Sequence, residues 1–120
     1  KELAVKDSSW WKHEINTLND QISNEKNPYD ALAYQRIKAF LGIMCYSLTN
    51  NALQNNDLQT ASRILPVYTY LEPLNPDMYY FRALYFKMTG NSKGSLDNLH
   101  KAIRAGFSDK KKIEDLKASL

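Results

Sequence analysis

The stretch YYFRALYFKMTGNSKGSLDNLHKAIRAGF, Tyr79 to Phe107, decides the fold. A large residue, Tyr79, is followed by a small one at Ala83 and a large one at Phe86. A turn cluster, Gly90-Asn91-Ser92, then precedes a small–large–small series at Ser95, Leu99 and Ala102. These spacings put one apolar face on each of two successive helices. Small residues stand where the two helices must approach, and large ones where a core is filled. Sliding the chain on itself by 34 residues repeats the pattern upstream. Ala61 falls on Ser95, Leu65 on Leu99, Tyr68 on Ala102, Cys45 on Tyr79, Thr49 on Ala83, Ala52 on Phe86 and Asn56 on Gly90.

Outward from this core the punctuation is regular. Asn27-Pro28 and Asn75-Pro76 each read as an N-cap followed by Pro at the first helical position. Asp30 and Asp77 follow where a negative charge suits the helix dipole. Asn55-Asn56-Asp57, Gly90-Asn91-Ser92 and Gly106-Phe107-Ser108-Asp109 supply three further breaks. The expectation is an all-α chain of about six helices, near residues 8–25, 28–54, 57–71, 76–89, 92–105 and 109–119. Trp11, Ile15, Leu18 and Ile22 form a single stripe on the first. The adjacent Trp10 points about 100° away from Trp11, to cover the second helix or to anchor a partner. The second helix carries two stripes: Ala33, Ile37, Phe40/Leu41, Met44, Leu48 and Leu32, Ala39, Ile43, Tyr46, Leu53. That predicts a central helix packed between neighbours. Pro66 predicts a kink in the third helix.

The segment Tyr79–Phe107 resembles a tetratricopeptide repeat, with Tyr79, Ala83, Phe86, Gly90, Ser95, Leu99 and Ala102 at the family's positions. Arg82 departs from the family's usual Leu, and Gly106-Phe107 replaces the closing Pro. The preceding unit, Cys45–Pro73, fits at Ala61, Leu65 and Pro73 but has Tyr68 where the family places a small residue. The resemblance divides one domain into an N-terminal extension (1–42), two repeat-like units (43–75 and 76–108) and a C-terminal capping helix (109–120). It implies antiparallel helix pairs in a right-handed superhelical stack. It further implies a protein-interaction scaffold whose first helices line a concave face. In the first unit that face would hold Ile43, Tyr46, Asn50, Leu53 and Gln54. In the second it would hold Asp77, Tyr80, Leu84, Lys87 and Met88. Tyr46 and Tyr80 share a repeat position and suit capture of a peptide or protein partner. The subtype that clamps a terminal carboxylate carries a basic residue there, so that ligand is not expected.

Composition narrows the remaining classes. The 120 residues are 43% apolar and 24% charged, and one domain of this size buries enough surface without a staple. No run approaches the ~20 apolar residues of a membrane span. The single Cys45 sits in an apolar stretch and reads as a buried, inert thiol. The net charge of +3 arises at the C-terminal end: residues 1–92 hold 9 Lys/Arg and 9 Asp/Glu, and residues 93–120 hold 7 and 4. An excess this small, with only Phe107 near Lys101, Arg104 and Lys110–Lys112, points away from nucleic acid. His13-Glu14 lacks the second His of H-E-x-x-H, and no Gly-rich phosphate loop follows a strand. No enzyme activity, cofactor or metal is expected. The alternatives are a structural, self-associating helical domain, as a homo-oligomer, and a weak binder of anionic surfaces or nucleic acid through the basic C-terminal end. The chain starts at Lys1 rather than Met, which suggests a removed leader. A periplasmic or lipid-anchored bacterial protein and a cytoplasmic fragment both stay open.

Overall fold

The computed structural model describes residues 7–120; the start of the N-terminal extension, residues 1–6, lies outside the described residues. Six helices follow one another: α1 Ser8–Asn24, α2 Pro28–Gln54, α3 Leu58–Leu71, α4 Pro76–Met88, α5 Ser92–Ala105 and α6 Lys110–Ala118. Among the described residues there is no strand. The all-α class and the six segments agree with the sequence expectation to within a residue or so at each end.

Local chemistry explains each start. The side chains of Asp7, Asn27, Asp57, Asn75, Asn91 and Asp109 each accept a backbone N–H from the first turn of the helix that follows. These bonds satisfy donors that an isolated helix end leaves orphaned. Pro28 and Pro76 occupy positions where no intrahelical donor is lost. Three ends share a second device. Asn56, Gly90 and Gly106 adopt positive φ (59°, 83° and 117°). The next residue donates back five positions: Asp57 N to Ala52 O at 2.8 Å, Asn91 N to Phe86 O at 2.8 Å, and Phe107 N to Ala102 O at 2.9 Å. This is the Schellman closure. The first two closures are displaced by the same 34 residues that relate the sequence to itself. α3 continues through Pro66, which is exposed.

Packing follows the same offset. α2 packs with α3 and α4 with α5; α4 also touches α3 and α2, and α1 lies against both α2 and α3. Thr49 and Ala83 are fully buried, as are Ala61, Ser95 and Leu99, and Leu65 is nearly so. In the second pair the Ser95 hydroxyl donates to the Ala83 carbonyl at 2.8 Å, a bond that needs two small residues face to face. The main core gathers Trp11 and Ile15 of α1, Cys45, Ala52 and Leu53 of α2, Ile64, Leu65, Tyr68 and Leu71 of α3, and Met78 and Phe81 of α4. A smaller core joins Ala83, Leu99 and Leu116 under α6. Tyr70 Oη of α3 donates to Asn16 Oδ1 of α1 at 2.6 Å, which fastens α1 to α3.

One expectation about α2 is corrected. Leu41, Cys45, Leu48 and Ala52 face the core, but the opposite side is largely uncovered, with Tyr46 edge-on to Phe81 and Leu53 buried at its C-terminal end. Tyr29, Leu32, Phe40, Ile43 and Tyr46 are exposed on it. α2 therefore contacts α1, α3 and α4 but is not covered on both of its apolar sides. Its two stripes are equally apolar, so their spacing could not say which one α1 and α3 would cover.

Candidate functional site

The ten residues assigned to a concave face separate into two groups. Ile43 and Tyr46 lie on the outer face of α2, at the rim of an open depression of about 360 Å³. Its other lining residues are Ala39, Gly42, Tyr68, Glu72 and Asn75. Ile43 is 66% exposed, and Tyr46 is exposed with its ring edge-on to Phe81 at 5.1 Å. Asn50 and Gln54 continue the helix and bond each other, Gln54 Nε2 donating to Asn50 Oδ1 at 3.3 Å. Leu53 is corrected: it is buried in the main core beside residues of α4, so it lines no accessible face.

The α4 group has a different environment. Tyr80 is half-buried, with the Phe107 ring stacked on it at 4.5 Å and Lys112 Nζ 5.7 Å from its ring centre. Burial, with the charges of Asp109 and Asp115, raises the pKa of its hydroxyl. Leu84 packs between the two cores, and Met88 rests on the main one. Asp77 and Lys87 are exposed at opposite ends of α4. The equivalence of Tyr46 and Tyr80 in sequence thus ends in two fates, because the loop after α5 and the start of α6 cover the second. Phe81 links the groups: its ring lies 6.5 Å from both Tyr80 and Tyr68. Sequence reasoning missed Phe81 because it falls between the assigned repeat positions.

Glu72 is the other residue that spacing did not flag. It caps α3 at its C-terminal end, and its carboxylate lies so close to Gly42 that a Cβ there would overlap Oε2. Glycine at 42 is what lets the acid approach α2. Asn75 Nδ2 donates to Glu72 Oε1 at 2.6 Å. Among the described residues the ion pairs are Lys93–Asp97 and Lys111–Asp115, so Glu72 has no cation in contact. Its charge reaches inward: after burial, which acts first, it is the next cause raising the pKa of the Tyr68 hydroxyl.

The same order of causes, burial and then Glu72, pushes the Cys45 thiol up to about 12. A free thiol in an unfolded chain ionises near ~8.5. The folded thiol therefore contributes its full stability below that pH and loses it as pH rises from there towards about 12. Alkylation of the native protein with iodoacetamide at pH 8 is expected to proceed only through opening of the core. Guanidinium should then accelerate it more than about 100-fold. Rapid native labelling would show an accessible thiolate instead.

The chemistry-bearing residues elsewhere are dispersed. His13 and Glu14 are exposed on α1 and His100 on α5, and no group of three or more His, Cys, Asp or Glu among the described residues could hold a metal. Lys110–Lys112 form the exposed first turn of α6, where Lys111 pairs with Asp115. No described helix is long and apolar enough to cross a membrane. Trp10 is 41% exposed, with its ring edge-on to Trp11 at 4.9 Å. Comparison of the chain with protein-family models, with curated proteins and with solved structures gives no match.

Proposed function

We propose that this chain is a non-catalytic helical interaction module: two tetratricopeptide-like helix pairs behind a helical extension, presenting the outer face of α2 to a protein partner. The observation that carries the reading is the exposure of Leu32, Phe40, Ile43 and Tyr46 along one side of a single helix. Scattered surface apolar residues need no explanation, but a contiguous row does. The 34-residue recurrence of caps, small contacts and loop closures supports the repeat-like frame. In that frame Ile43 and Tyr46 keep the role the sequence assigned, and the surface extends towards the N-terminus of α2. Tyr80 moves to a supporting role beneath α6.

The test is capture from the native source on immobilised protein, comparing wild type, Ile43→Glu and Tyr80→Ala. Ile43 is exposed, so its substitution should leave the thermal melt within a few degrees. Capture is expected to disappear with Ile43→Glu and to persist with any Tyr80→Ala protein that stays folded. Capture unchanged by Ile43→Glu would place the interaction surface elsewhere.

A further inference from the structure

The outer face of α2 has a spacing that its exposure alone does not require. Tyr29, Leu32, Arg36, Ala39, Ile43 and Tyr46 follow one another at alternating steps of three and four, and Asn50 continues the series. Two positions in every seven is the rule by which one helix lies along another over its whole length. Phe40 broadens the strip on one side. With large side chains of 150–250 Å² each, the exposed fractions of Tyr29, Leu32, Phe40, Ile43 and Tyr46 amount to roughly 600 Å². That matches the largest patch usual on a monomer, about 300–600 Å². The part within reach of a paired helix, Leu32, Phe40, Ile43 and Tyr46, amounts to roughly 400 Å², about half of the ~800 Å² that each partner contributes to a standard interface.

Charge selects the occupant. The strip contains one cation, Arg36, exposed one turn before its centre. Its edge carries one acid, Glu72, beside Gly42 just past the centre. Lys38 borders the neighbouring depression with Glu72 but forms no ion pair with it. An isolated half-buried carboxylate is better held with a cation in reach. A second α2 laid antiparallel about an axis level with residue 41 brings Ala39 opposite Ile43 and Arg36 opposite Tyr46. The guanidinium then lies over a Tyr ring within a side-chain's reach of Glu72. A twofold axis makes this contact twice, with small residues Ala39 and Gly42 at the crossing. This is the self-complementarity an isologous interface requires.

We propose that the occupant is a second copy of this chain: two protomers pair antiparallel along α2, and Arg36 of each meets Glu72 of the other. The inference rests on the reading of the α2 face as the interaction surface and names its partner. The test is sedimentation equilibrium of the full chain at about 100 μM, far above the micromolar upper end for interfaces of this size. Wild type is expected at twice 13.9 kDa. Ile43→Glu should be monomeric and still melt cooperatively, at the temperature that wild type approaches on dilution, and Arg36→Glu should raise the dissociation constant at least tenfold. The exchange Arg36→Glu/Glu72→Arg should recover most of that loss. A wild-type monomer at this concentration overturns the inference, and so does a dimer that survives Ile43→Glu. A dimer indifferent to Arg36→Glu overturns the antiparallel pairing. A monomer that still shows Ile43-dependent capture refutes only the second copy. Capture that ignores Ile43→Glu removes the interaction surface itself.

Discussion

Replacing Tyr68 by alanine is expected to lower the stability of the domain by about 3–5 kcal/mol. Its melting temperature should fall by roughly 10–20 °C. Tyr68 is 1% exposed and is the largest side chain that is fully buried. It belongs to the main core, which draws on α1, α2, α3 and α4, and its ring lies 6.5 Å from Phe81. Truncation leaves a ring-sized void that residues on four helices would have to close together. The hydroxyl matters less. Among the described residues it is bonded by Asn75 Nδ2 alone, at 3.4 Å, and Tyr68 lines the α2 depression. Tyr68→Phe should therefore cost no more than about 1 kcal/mol. Equal losses for the two variants would mean that the hydroxyl, not the ring, holds the core together.

Leu99→Ala is expected to cost about 3 kcal/mol, while Ile103→Ala, one turn further along α5, should cost under about 1 kcal/mol. Leu99 is fully buried between α4 and α6 in the smaller core, and Ile103 is exposed. The smaller core rests on Ala83, Leu99 and Leu116 with half-buried Tyr80, Leu84 and Ile113 around them. Loss of Leu99 should therefore also loosen α6 and the Phe107 ring stacked on Tyr80. Chemical denaturation of the two variants with a shared slope measures the difference. Similar costs would show that α5 does not bury the face assigned to it.

Much of this fold was legible because its signals are local. Asn27-Pro28, Asn75-Pro76 and Asn91 announce helix starts by chemistry that needs no tertiary context, and each of these Asn residues caps a helix. The small residues Ala83 and Ser95 were read as standing where two helices approach, and a bond joins them. What stayed hidden is set by which helix covers which face. Leu53 and Lys87 stand 34 residues apart, yet the first is buried in the main core and the second is exposed. Tyr46 and Tyr80 diverge for the same reason, since Phe107 and α6 follow only the second unit. The two apolar stripes of α2 were visible in sequence, but only the positions of α1 and α3 reveal which one remains open. Glu72 gave no sequence signal, because its proximity to Gly42 is a contact across 30 positions of chain.

The claim that the outer face of α2 is where this protein meets another chain is tested most directly by placing a photo-reactive benzoylphenylalanine at position 43. A second protein carrying it at position 93, exposed on α5, is the comparison. Irradiation in the native source is predicted to give discrete cross-linked species from position 43 and none from position 93. The absence of adducts at 43, or the same adducts from both positions, would contradict the account.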